Sequence, residues 1–148
     1  MAEDKDKLHR MLAVDCFNGT WDLLDKTDRT PEEAEMIIHM SHASRYHWGI
    51  IGNPLNFARG DWQISRVYVT LKLGKPALKY GESSLQHCLD NGFGDFDLAF
   101  GYEAIARAYA VLGDDQNLAK YKELATEAGK AIEKDGDSDY FFGELDTI

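Results

Sequence analysis

Apolar side chains recur along most of this chain every three or four residues, the spacing that places them on one side of an α-helix. No stretch alternates residue by residue as a half-buried strand would. Start and stop signals divide the pattern into six or seven helices. The first is expected over about residues 7–26. The second opens on TPEE, with Thr30 as N-cap, Pro31 at the first helical position and Glu33 closing a capping box, and reaches about residue 50. A third starts at Asn53-Pro54 and stops near Gly74, and a fourth runs from Lys75-Pro76 to the Asn91-Gly92 turn. A fifth starts around Asp95 to Asp97 and ends at Leu112-Gly113, and a sixth follows Asp114-Asp115 to about Ile132. A short seventh is expected within DSDYFFGELDTI. The connections are short, so neighbouring helices should be antiparallel.

The chain repeats itself. ARGDWQISRVY (58–68) aligns with AFGYEAIARAY (99–109) at an offset of 41 residues, matching Ala58, Gly60, Ile64, Arg66 and Tyr68 to Ala99, Gly101, Ile105, Arg107 and Tyr109. At the same offset Lys79, Tyr80 and Glu82 match Lys120, Tyr121 and Glu123. Gly19 and Trp21 align with Gly60 and Trp62 another 41 residues upstream. One helix pair cannot bury its apolar face alone, but stacked pairs can.

YEAIARAYAVLGD (102–114) resembles the first helix and turn of a tetratricopeptide (TPR) repeat, and Tyr121 and Ala125 fall where its second helix carries a large and a small residue. RTPEEAEMIIHMSHASRYHW, ARGDWQISRVY and GDFDLAFGYEAIARAYA together resemble a group of uncharacterised bacterial TPR-like proteins. The 41-residue period departs from the 34 residues usual in that family, and the proline that closes such a repeat is missing. The resemblance implies a single all-α domain over 1–148. It would be a TPR-like right-handed stack of antiparallel helix pairs at about 7–50, 53–92 and 95–133, with a C-terminal capping helix at 136–148.

Helical wheels assign the packing stripes. On the third helix they take Phe57, Ile64, Val67, Tyr68 and Leu71, and on the fifth Leu98, Ile105, Ala108, Tyr109 and Leu112. The opposite stripe holds Arg59, Trp62 and Arg66 on the third helix, Phe100, Glu103 and Arg107 on the fifth, and Trp21 on the first. By the TPR resemblance these residues line the concave groove. They form a candidate ligand-binding set, because Trp, aromatic and Arg side chains dominate binding hot spots. Arg66 and Arg107, equivalent in adjacent repeats, are placed to clamp one carboxylate or phosphate. Replacing both by Ala is then expected to abolish binding and leave thermal stability nearly unchanged. Arg107 also has an alternative partner in Glu103, four residues back on its own helix.

A second candidate site is SHASRYHW (41–48) with His39 just before it. IIHMSHASRYHW resembles the second helix of DinB-like four-helix proteins, which bind a metal through three histidines. That resemblance implies a metal-binding bundle or enzyme using His39, His42 and His47. Those proteins carry another histidine pair late in the chain, whereas here no histidine follows His87. On the wheel His42 and His47 lie about 140° apart. His47 falls on an apolar stripe with Met36, Met40, Ala43 and Ile50, while His42 and Arg45 fall on the polar side. Asp61 or another acid would have to complete a metal shell. Ser41 and Ser44 lie within a helix and lack a nucleophile-elbow motif.

The net charge of −10, with no basic run, argues against nucleic acid. The charged stretch MAEDKDKLHR lacks the apolar core expected of a signal peptide, and no apolar run approaches the roughly 20 residues that span a bilayer. Cys16 and Cys88, far apart in apolar helices, are expected to be buried free thiols, which suits the cytoplasm. The expectation is thus a cytoplasmic binding or scaffold protein without metal or cofactor. Its partner would be a protein, a peptide or a small anionic ligand, with a homodimer sealed by exposed aromatics as a further possibility.

Overall fold

The computed structural model describes residues 2–148. They form seven helices and, among the described residues, no strand: α1 (Ala2–Leu24), α2 (Pro31–Ile51), α3 (Pro54–Thr70), α4 (Gly74–Asn91), α5 (Asp95–Leu112), α6 (Asp115–Lys130) and α7 (Asp135–Leu145). None is long and apolar enough to cross a membrane. The local signals act as written. Thr30 and Glu33 form the reciprocal capping box of α2. Asn53 and Asn56 do the same for α3, whose first helical residue is Pro54. Gly92 and Gly113 end α4 and α5 in the left-handed conformation that costs glycine nothing. Only α1 differs appreciably, starting at Ala2 rather than near residue 7. Its first turns are solvent-exposed, and Glu3 and Asp4 suit the positive end of a helix.

Each helix packs on its neighbours in sequence, and the odd-numbered helices also touch one another: α1 on α3, α3 on α5, α5 on α7. Contacts run in opposite order along paired helices. Gly19 meets Met40 and Ala13 meets Ser44 across α1 and α2. Ser84 and Ser65 reach Ala58 and Ala77 across α3 and α4. Three buried serines clasp these pairs by donating to backbone carbonyls of the facing helix: Ser44 to Ala13 at 2.7 Å, Ser65 to Ala77 and Ser84 to Ala58 at 2.8 Å. A small side chain lets the backbones approach, and the bond satisfies its buried hydroxyl.

The 41-residue repeat is a repeat of contacts. Tyr68 stacks on Tyr80 at 6.1 Å, and the equivalent Tyr109 stacks on Tyr121 at 5.6 Å. Lys79 and Lys120 lie over Tyr80 and Tyr121, each 5.4 Å from the ring centroid. Gly60 admits Arg45 of α2, and Gly101 admits the backbone of Leu85 on α4, so equivalent glycines serve the contacts between pairs. The turns match too: Lys72, at φ 62°, stands where the next repeat has Gly113, at φ 74°. A side chain is strained there. Lys72→Gly is expected to raise stability by about 0.5–1 kcal/mol, read from the urea midpoint at constant slope.

The wheel assignment for α2 needs correction. Met36 and Ile50 are about half exposed, and the buried positions are Ile37, Ser41 and Ser44. The supposedly polar side packs against α3, where Arg45 Nε donates to the buried Asp61 at 2.9 Å and His42 Nε2 shares a hydrogen bond of 2.9 Å with Tyr68 Oη. A polarity count misplaces side chains that bury their polar atoms against partners on another helix. On α3 and α5, by contrast, Ile64, Val67, Ile105 and Ala108 are buried, though Leu112 at the end of its stripe is exposed. A cluster of Ala99, Phe100, Ala125, Ile132, Phe141 and Leu145 closes the C-terminal end between α5, α6 and α7.

Candidate functional site

Trp21 of α1, Trp62 of α3 and Phe100 of α5 point to the same side of the molecule because successive odd-numbered helices pack side by side. Trp62 lies 5.6 Å from Trp21 and 5.6 Å from Phe100, centroid to centroid, the latter edge-on. One turn earlier on their helices, Phe17 packs on Trp21 and Phe96 on Phe100. From α7, Tyr140 completes the run against Phe96 and Phe100. These six rings from four helices, with Ala58, Ser84 and Cys88 as the remaining wall, bound a partly open, almost wholly apolar cavity of about 250 Å³. Arg59 and Asp97 stand among its lining residues and are joined by two hydrogen bonds, Nε to Oδ1 at 3.0 Å and Nη2 to Oδ2 at 3.1 Å.

Four residues of the sequence-derived set therefore line one cavity: Trp21, Arg59, Trp62 and Phe100. The other three, Arg66, Glu103 and Arg107, form an ion cluster beside it. Glu103 is fully buried and accepts from Arg107 Nε at 2.6 Å and from Arg66 Nη2 at 3.4 Å. Arg66 also donates to Glu144 of α7 at 2.9 Å and lies over the Trp62 ring. Arg107 donates to the Glu144 carbonyl and the Thr147 hydroxyl, each at 2.8 Å. The two guanidinium forks do converge on a carboxylate, but it is the chain's own. All three arginines are engaged, so removing Arg66 and Arg107 would strand a buried Glu103, and an unchanged melting temperature is no longer the expectation.

The histidines of α2 diverge. His39 is exposed and faces Glu35 at 3.7 Å. His42 turns to Tyr68 and the edge of Tyr80. His47 turns to α1, where its Nδ1 shares a hydrogen bond of 2.8 Å with Nδ1 of His9. Asp61 is taken by Arg45 and by the Ser83 hydroxyl at 2.7 Å, with His87 at 3.3 Å. Among the described residues no group of three or more His, Cys, Asp or Glu side chains is placed to hold a metal ion. Burial lowers the His42 pKa, with Lys79 and His39 adding to that and Asp61 opposing it, so the imidazole is neutral at neutral pH.

Nucleophiles fare no better. Ser41 and Ser44 donate to the carbonyls of Ile38 and Ala13. Burial, reinforced by Asp97 and opposed by Arg59, pushes the Cys88 thiol up to about 11. It is a protonated, inert wall of the cavity near pH 7.

No family model, curated protein or solved structure matches this chain. What the site can do must come from its own geometry.

Sequence reasoning missed Phe17, Phe96, Asp97 and Tyr140. Phe17 and Phe96 were within reach, each lying four residues before a ring already on the groove stripe. Asp97 meets Arg59 across 38 residues and Tyr140 arrives on a separate helix, and neither leaves a local signal.

Proposed function

We propose that this chain is a TPR-like stack of three helix pairs capped by α7, and that it works as a binding protein rather than an enzyme. The contacts between odd-numbered helices and the recurrence of the tyrosine stack in adjacent pairs support the stack. The observation that carries the binding reading is the cavity of about 250 Å³ walled by six rings. An apolar cavity of roughly 150 Å³ holds a benzene ring, so this one suits a one- or two-ring group. With Arg66 and Arg107 held by Glu103, the groove offers them to no external phosphate. The geometry thus favours a small ring-bearing molecule over the strongly anionic ligand that the arginines alone suggest.

A neutral two-ring probe, 2-naphthol, is expected to bind and to change the fluorescence of Trp21 and Trp62. Trp21→Ala removes one wall while leaving the buried α5–α7 cluster intact. It should weaken binding at least tenfold, about 1.4 kcal/mol. Met36→Ala, on the exposed face of α2, serves as the control and should change nothing. Equal affinity in Trp21→Ala, or no binding to the unaltered protein, would remove the basis of this reading.

A further inference from the structure

Resting on that pocket reading, we infer that the ligand is an aromatic zwitterion: an α-amino acid whose ring fills the cavity and whose ammonium and carboxylate engage Asp97 and Arg59. Among the residues lining the cavity, these two alone carry formal charge, and they are equal and opposite. They belong to the rim: the Arg59 side chain is 55% exposed and that of Asp97 22%.

This arrangement sorts ligands by charge. A carboxylate that displaced Asp97 from Arg59 would leave Asp97 unpaired beside an apolar wall. An ammonium taking Asp97 would free Arg59 from its partner and leave its carboxylate-binding fork unused. Arg66, the next cation along α3, is held by Glu103 and Glu144 and does not replace Arg59. A ligand bearing both charges on one carbon compensates both side chains at once. The zwitterion replaces both halves of the pair that it opens, and the exposed Arg59 side chain is free to turn toward its carboxylate. The size agrees: a phenyl or indole ring fits the cavity, with its α-carbon left at the rim where the charges are.

Calorimetric titration separates the alternatives with four probes sharing a phenyl ring: L-phenylalanine, 2-phenylethylamine, 3-phenylpropanoate and 2-phenylethanol. L-Phenylalanine is expected to bind at least tenfold more tightly than each of the others. In Arg59→Gln/Asp97→Asn, checked for an unchanged melting temperature, the preference for L-phenylalanine over the other three probes should vanish. If 2-phenylethanol or a singly charged probe binds the unaltered protein as well as L-phenylalanine, the zwitterion assignment falls and the apolar pocket survives. If none of the four binds and 2-naphthol leaves tryptophan fluorescence unchanged, both fall.

Discussion

Glu103→Ala is expected to destabilise the protein by about 3–5 kcal/mol, the cost of breaking a buried ion pair from one side. Two arginines, each with little exposed side chain, converge on this one fully buried carboxylate. Removing it leaves two positive charges together with no shared counterion, although Glu144 still reaches Arg66. For a domain of this size the loss corresponds to a fall of roughly 10 °C in melting temperature. Arg66→Ala/Arg107→Ala should cost a comparable amount, because the stranded partner is then the carboxylate. The triple replacement Arg66→Met/Glu103→Leu/Arg107→Met should recover much of the loss, since a buried ion cluster exchanged for packed apolar groups is often neutral. Calorimetric melting of all three variants distinguishes a buried cluster from a solvated one. A shift below about 2 °C in Glu103→Ala would show that water compensates the arginines and would reopen them as ligand anchors.

The second large effect is expected where the same helix, α7, packs on α5 and α6. Phe141 is fully buried, sits edge-on to Phe100 at 4.9 Å, and lies so close to Gly129 that a Cβ there would meet its ring at 2.5 Å. Phe141→Ala should cost about 3–5 kcal/mol, measured by urea unfolding, because the interface of α5, α6 and α7 cannot close over so large a void. The pocket should respond as well. Tyr140 precedes Phe141 on α7 and supplies one of the six rings, so 2-naphthol affinity should fall even where the protein remains folded. Affinity unchanged in a folded Phe141→Ala protein would show that α7 does not shape the pocket.

The candidate site was half legible beforehand. A wheel put Trp21, Trp62 and Phe100 on one stripe, and the cavity forms along it. The same wheel offered Arg66 and Arg107 as anchors for an external anion, with Glu103 as the alternative partner of Arg107; that pairing is the one formed, while Glu144, 78 residues from Arg66, leaves no local signal. It also placed the face of α2 that carries His42 and Arg45 in solvent. The partners that let those groups be buried, Tyr68 and Asp61, belong to α3.

By itself the sequence determined what depends on residues within a turn or two of one another. These are the helix spans, the Thr30–Glu33 capping box and the glycine stops at Gly92 and Gly113. Each follows from backbone hydrogen bonds and side chains a few positions apart, whose geometry a helix fixes in advance. Only the tertiary structure decided which charges meet and which rings enclose a space. Arg59 finds Asp97 across 38 residues, and the six rings come from four helices. The energy of such a contact depends on distance and exclusion of water, and neither exists until the helices have stacked.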